Sequence, residues 1–182
     1  MELTKSLQAQ KILKYIVIAF IGSILLTISA KLQTPFTLVP ATMQTFAVLL
    51  IGIVLGPRLA AATVIFYLAQ GSIGFPVFAK GGGLMYFAGP TGGYLLGFIF
   101  AAYFSGMIKK TNDPIIIFIY LSLSISIAYI VGLIGLWNFM GFDKSFSKVF
   151  AVGAEPFLII EIYKILILSV LSKQLFKLKN LI

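Results

Sequence analysis

Six long apolar runs, interrupted only where proline and glycine cluster, decide most of what this chain can fold into. Hydrocarbon offers no water to an unpaired N–H or C=O, so apolar sequence of this length is read as membrane helix. Composition agrees with that reading. Hydrophobic residues make up 60% of the chain and charged residues 10%, with a mean hydropathy of +1.07, whereas a soluble domain of this size carries far more charge. The predicted fold class is an all-α membrane protein: six transmembrane helices in one integral domain, with inward-folding outer loops and a short interfacial helix before the sixth span.

The spans are placed at about Ile12–Ala30, Ala41–Leu55, Pro57–Gln70, Gly92–Ile108, Pro114–Trp137 and Pro156–Leu171. The first follows Lys5, Lys11 and Lys14 and exceeds a signal-peptide core of about 7–15 residues, so it is read as a span. Gly56-Pro57-Arg58 makes a tight turn, because proline suits the first position of a helix. A helix the length of the second span rises only about 22 Å against a hydrocarbon core of about 30 Å. Loop residues must therefore supply part of the depth, which is why the outer loops are expected to fold inward. Between Asn138 and Gly153, Phe142, Phe146 and Phe150 recur every fourth residue beside Asp143, Lys144 and Lys148, the pattern of an amphipathic helix lying at the interface.

Six spans put both termini on one side. That side carries Lys5, Lys11, Lys14, Arg58, Lys109, Lys110, Lys173, Lys177 and Lys179, against Lys31, Lys80, Lys144 and Lys148 on the other, so the termini are expected to be cytoplasmic. The formal charge of +9 is thus accounted for by membrane orientation and not by nucleic acid, since no basic patch is interleaved with exposed aromatics.

Nine of the seventeen glycines fall between Gly71 and Gly97, in loop 3 and the helix start behind it. Lys80 and Gly81-Gly82-Gly83 suit a solvated tip, while Phe75, Pro76, Val77, Phe78, Leu84, Met85, Tyr86 and Phe87 suit burial. The mixture predicts a loop that dips back over a pocket. Loop 1, Lys31 to Pro40, breaks the helical pattern with two prolines.

Glu161 and Lys164 are the only acid–base pair within a span, and at i and i+3 they share a helix face. Ionisable groups at that depth face a cavity or a partner. They either neutralise each other or serve a ligand carrying both a carboxylate and N–H donors. Gln44, Thr91 and Tyr94 are neutral polar groups at outer helix ends that could complete such a site, and Tyr86 could wall it; each also reads as a packing or interfacial residue. In the first span Ala19, Ser23 and Thr27 repeat every four residues beside Gly22, a face that lets another helix approach closely, either within the bundle or from a partner.

The chain has no cysteine and no histidine, which removes thiolate chemistry and the usual metal ligand and proton shuttle. Gly81-Gly82-Gly83 lacks the following Gly-Lys-Ser/Thr of a phosphate loop. No nucleophile with a base is evident, so the chain is not read as an enzyme, and any ATP hydrolysis must lie on other subunits.

Val39-Pro40-Ala41-Thr42-Met43-Gln44-Thr45, Leu55-Gly56-Pro57-Arg58, Gly74-Phe75-Pro76-Val77-Phe78, Gly89-Pro90-Thr91-Gly92-Gly93-Tyr94 and Pro156-Phe157-Leu158 with Glu161 and Lys164 resemble, in order along nearly the whole chain, the BioY family. These are the biotin-specific substrate-binding (S) components of energy-coupling-factor (ECF) transporters. The resemblance implies a bacterial or archaeal cell-membrane protein that captures biotin from outside. It also implies work with a transmembrane coupling subunit and two cytoplasmic ATPases, and no cofactor. Biotin's carboxylate would pair with Lys164, its ureido N–H groups with Glu161, and its fused rings with loop aromatics, with loop 3 as a lid. Ala19 and Ser23 fall where the family's first helix contacts the coupling subunit. The family has an aspartate at the position of Glu161, so the arm here is one methylene longer. An S component for another small vitamin and a stand-alone biotin transporter are the alternatives.

Overall fold

The computed structural model describes residues 2–33, 38–111 and 113–179, with side chains from residue 8 onward. Residues 34–37 of loop 1 and the side chain of Lys5 lie outside the described residues. Seven α-helices follow one another: α1 (Glu2–Lys31), α2 (Gln44–Leu55), α3 (Pro57–Ser72), α4 (Gly92–Gly106), α5 (Pro114–Met140), α6 (Phe146–Gly153) and α7 (Leu158–Lys179). Single 3-10 turns at Leu84–Ala88 and Glu155–Phe157 precede α4 and α7. Among the described residues strand pairing is limited to two isolated bridges, Gln33 with Thr42 and Phe78 with Gly81.

Local chemistry sets several boundaries. Pro57 opens α3 behind Gly56, whose φ of +76° ends α2. At α5 the Asp113 carboxylate accepts the Ile115 N–H at 2.8 Å while Pro114 takes the first helical position. The second span starts as a helix only at Gln44, because the preceding Thr42 pairs its backbone with Gln33 and its hydroxyl accepts the Gln44 N–H.

α2 lies at the centre, touching α1, α3, α4, α5 and α7. α4 runs along α5 in the most extensive pairing of the bundle, and α7 closes the ring against α2 and α5. α1 packs on α3 through Ser23, which is buried and hydrogen-bonds to Gln70. Its other face is apolar and bare: Ile12, Ile16, Phe20, Ile24 and Ile28 are exposed at every fourth position. α1 and α5 are each long and apolar enough to cross a bilayer, and α2 and α4 are shorter apolar helices. Leu123, Ile130 and Ile134 on α5, with Ile159, Tyr163 and Val170 on α7, extend the exposed apolar girdle. A surface of that kind needs lipid around it.

The strongly amphipathic α6 buries Val149 and Gly153 and leaves Phe146 and Phe150 outside, where Phe146 packs on Trp137 at 5.7 Å between ring centroids. Loop 3 folds back over the bundle, but not with every apolar residue the sequence suggested. Phe78 is fully buried and Ala79 nearly so, whereas Phe75, Pro76 and Leu84 are exposed and Met85 is 82% exposed. At a membrane surface an apolar side chain can face lipid, so hydrophobicity alone does not sort the loop's inside from its outside.

Candidate functional site

The site is built where loop 1, loop 3 and the outer ends of α2, α4, α5 and α7 converge. α7 turns Glu161 and Lys164 inward together, leaving them 7% and 5% exposed. Lys164 Nζ donates to Glu161 Oε1 at 2.7 Å, to Thr45 Oγ1 at 2.9 Å and to the Thr42 carbonyl at 2.7 Å. Thr45 in turn donates to the same Glu161 oxygen at 2.8 Å. An ammonium has three N–H donors, and all three are engaged. Glu161 is only half satisfied: Oε2 is buried and has no hydrogen-bond partner. A buried acceptor without a donor is costly, and the rest of this network is saturated, so the imbalance is specific to that oxygen.

Glu161 lines a cavity of about 50 Å³ together with Gln44, Thr45, Tyr86, Thr91, Tyr94 and Tyr129. Phe78, Phe98 and Phe157 complete its aromatic walls, and Val39 to Thr42 of loop 1 its rim. The structure thus brings Glu161, Gln44, Thr91, Tyr94 and Tyr86 around one space. Lys164 stands behind Glu161 and does not line the cavity. Ala19 and Ser23 are elsewhere, on α1, with Ser23 buried against Gln70 of α3 and Ala19 half-buried.

Most of the neutral groups already have partners. Gln44 Nε2 donates to the Tyr67 hydroxyl at 2.9 Å, and that hydroxyl donates to the Val77 carbonyl at 3.0 Å, a relay from α2 through α3 to loop 3. The Tyr86 hydroxyl accepts the Lys80 N–H at 3.3 Å. Tyr94 donates to the Gly153 carbonyl at 2.7 Å and stands edge-on to Tyr129 at 5.9 Å between ring centroids. Tyr86 and Tyr94 therefore offer the cavity their rings more than their hydroxyls. Tyr94→Phe is expected to leave the ring in place and the buried Gly153 carbonyl without its donor. Thermal unfolding should show a loss of about 1–2 kcal/mol, with ligand affinity retained; unchanged stability would mean that this bond does not anchor α6.

Sequence reading did not single out Thr45, Tyr67 or Tyr129. Thr45 lies 116 residues from the carboxylate it bonds, and its signals are its place beside Gln44 in a polar helix start and at the end of the Val39–Thr45 segment, neither of which assigns it a partner. Tyr129 is marked only as a hydroxyl-bearing ring in the middle of an apolar span; its hydroxyl stands at the margin of hydrogen-bonding reach of the Glu161 carboxylate, without closing a bond to Oε2.

Phe78 is the buried centre of loop 3. Its ring packs edge-on against Tyr67 at 5.5 Å and Phe87 at 5.7 Å and tilted against Tyr86 at 4.8 Å, and rests on Gly71, where any side chain would occupy the same space.

Comparison with known proteins follows the same lines. The fold matches a crystal structure of the S-component for biotin from an ECF-type ABC transporter, with a TM-score of 0.79 over 92% of this chain and 93% of that one at 22% identity. The biotin transporter BioY of Thermotoga maritima is 31% identical over 168 residues, 92% of this chain and 98% of its own length. A probable biotin transporter BioY of Pyrococcus horikoshii is 31% identical over 152 residues, 83% of this chain and 89% of its own. With the BioY family model matching residues 3–180, the chain belongs to the BioY family.

Proposed function

We propose that this chain is the membrane-embedded biotin-binding subunit of an ATP-driven ECF transporter, capturing biotin at the outer face for delivery inward. The observation that carries this reading is Glu161 Oε2, a buried acceptor without a donor, on the wall of an otherwise aromatic and apolar cavity. The ureido ring of biotin has N–H donors in a compact apolar bicycle, which suits one carboxylate among aromatic rings. Relatives named biotin transporters, alike over most of their length, support the same ligand.

Glu161 takes a ureido N–H, and the rings of Tyr86, Tyr94, Tyr129 and Phe78 pack on the bicycle. Lys164 acts through Glu161: its three donors hold the carboxylate in place and neutralise its charge. This leaves the valerate carboxylate to the wetter rim and not to Lys164. A cavity of about 50 Å³ is far below the ~300 Å³ of a small ligand pocket, so loop 3 must move outward as biotin enters. A transmembrane coupling subunit and two cytoplasmic ATPases then supply the work, with this chain crossing the membrane several times and its termini on the cytoplasmic side. The exposed apolar face of α1 supports contact with lipid and with the coupling subunit.

The test is equilibrium binding of labelled biotin to the purified protein in detergent, without ATP. Saturable one-to-one binding displaced by unlabelled biotin but not by riboflavin or thiamine is the expected result. Folded protein that binds no biotin overturns the proposal.

A further inference from the structure

The lid has a latch at the end of α1. Phe78 and Ala79 are the buried tip of loop 3 and line the cavity with Tyr86. Both of their backbone carbonyls are held from outside the loop. Lys31 Nζ donates to the Phe78 carbonyl at 2.6 Å, and Gln33 Nε2 donates to the Ala79 carbonyl at 3.0 Å. The loop's remaining bonds are local, such as Phe78 N–H to the Gly81 carbonyl at 2.8 Å and Gly83 N–H to the Gly71 carbonyl at 2.7 Å, or reach its stem from α3, where Tyr67 holds Val77. The tip is therefore fastened by two side chains, one from the last residue of α1 and one from the start of loop 1. Gly74, Gly81 and Gly83, with φ of +105°, +134° and +107°, bracket it with backbone that can swing.

The same short segment also meets the ion pair. Gln33 pairs through its backbone with Thr42, whose carbonyl accepts from Lys164. The segment from Lys31 to Gln33 thus joins the lid on one side to the support of Glu161 on the other. The closed latch is not fully satisfied, because Gln33 Oε1 is buried without a partner. A contact left short of a donor is one that opens at modest cost.

We infer that Lys31 and Gln33 are positioning residues that hold loop 3 shut over the cavity and set the rate at which ligand enters and leaves. This rests on the proposed biotin reading for the ligand, while the latch itself is a property of the ligand-free chain. If the two side chains stabilise closure with and without ligand, weakening them speeds both directions and leaves the equilibrium nearly where it was. A residue touching the ligand would instead change the equilibrium.

The test is the association and dissociation of labelled biotin on Lys31→Met and Gln33→Leu, with Lys31→Arg as the conservative control. Each of the first two is expected to raise both rate constants by about three- to tenfold, as loss of one hydrogen bond predicts. The dissociation constant should stay within about threefold, and Lys31→Arg should behave as the wild type. Amide hydrogen exchange at residues 78–83 in the ligand-free protein should rise in parallel. Unchanged rates, or an affinity lost through dissociation alone, overturn the latch. If the wild type binds no biotin, the ligand reading fails instead, and lid exchange that is the same in all variants still overturns the latch.

Discussion

Lys164→Met is expected to cost about 3–5 kcal/mol of stability and to abolish biotin binding. The substitution keeps the bulk of the side chain and removes the ammonium that Glu161, Thr45 and the Thr42 carbonyl share. Glu161 is then a buried carboxylate with one bond from Thr45 and nothing to balance its charge. A buried charge without its partner is costly, and the carboxylate is no longer held where the ligand needs its acceptor. A second variant separates stability from recognition. Lys164→Met combined with Glu161→Gln removes both charges, and a buried pair replaced as a unit costs little. The double variant should recover most of the lost stability while binding stays weak, and with Glu161→Gln alone as the fourth corner the cycle gives the coupling free energy between the two sites. Trp137, the one tryptophan, reports unfolding by its fluorescence. A single variant as stable as the wild type would show that the pair contributes no net electrostatic stabilisation.

Where the chain breaks its helices was legible, because proline and glycine act locally: Gly56-Pro57 and Asp113-Pro114 begin helices for reasons contained in those residues. The Glu161–Lys164 pair was legible too, since a three-residue spacing on any helix brings side chains together. Its surroundings were not. Thr45 and the Thr42 carbonyl reach Lys164 across more than a hundred residues, and no local pattern encodes that meeting. Helix rotation was equally hidden. Apart from Ser23, α1 carries no strongly polar side chain from Ile16 to Leu26, so little in the sequence says that Ser23 turns inward to Gln70 while Phe20 and Ile24 turn out. In water the solvent would have forced polar residues onto one face; in lipid both faces can be apolar. The same reason explains Met85 and Leu84, which are as apolar as Phe78 and lie on the opposite side of the loop.

The most extensive seam in the bundle carries the second large expected effect. Along α4 and α5 the helices meet through glycine: a Cβ at Gly97 would stand 2.7 Å from the Ala128 Cα and 2.9 Å from its carbonyl oxygen, and one at Gly93 2.7 Å from the Val131 oxygen. These neighbours are backbone, which cannot rotate aside as a side chain tip could. Gly97→Ala must therefore push the two helices apart, at about 1–3 kcal/mol for overpacking, and Gly97→Leu by more. The displacement falls on the site, because Tyr94 lies one turn before Gly97 on α4 and Tyr129 follows Ala128 on α5. Their edge-on contact closes one wall of the cavity. Losing an aromatic contact of about 0.5–1.5 kcal/mol should weaken biotin binding by roughly two- to tenfold in Gly97→Ala. Leu96→Ala, on the exposed side of the same helix, is expected to change stability by less than about 0.5 kcal/mol. Thermal unfolding and biotin affinity measured on the three variants together decide the matter. If Gly97→Ala matches Leu96→Ala in both, close approach of α4 and α5 is not what holds the tyrosine wall in place.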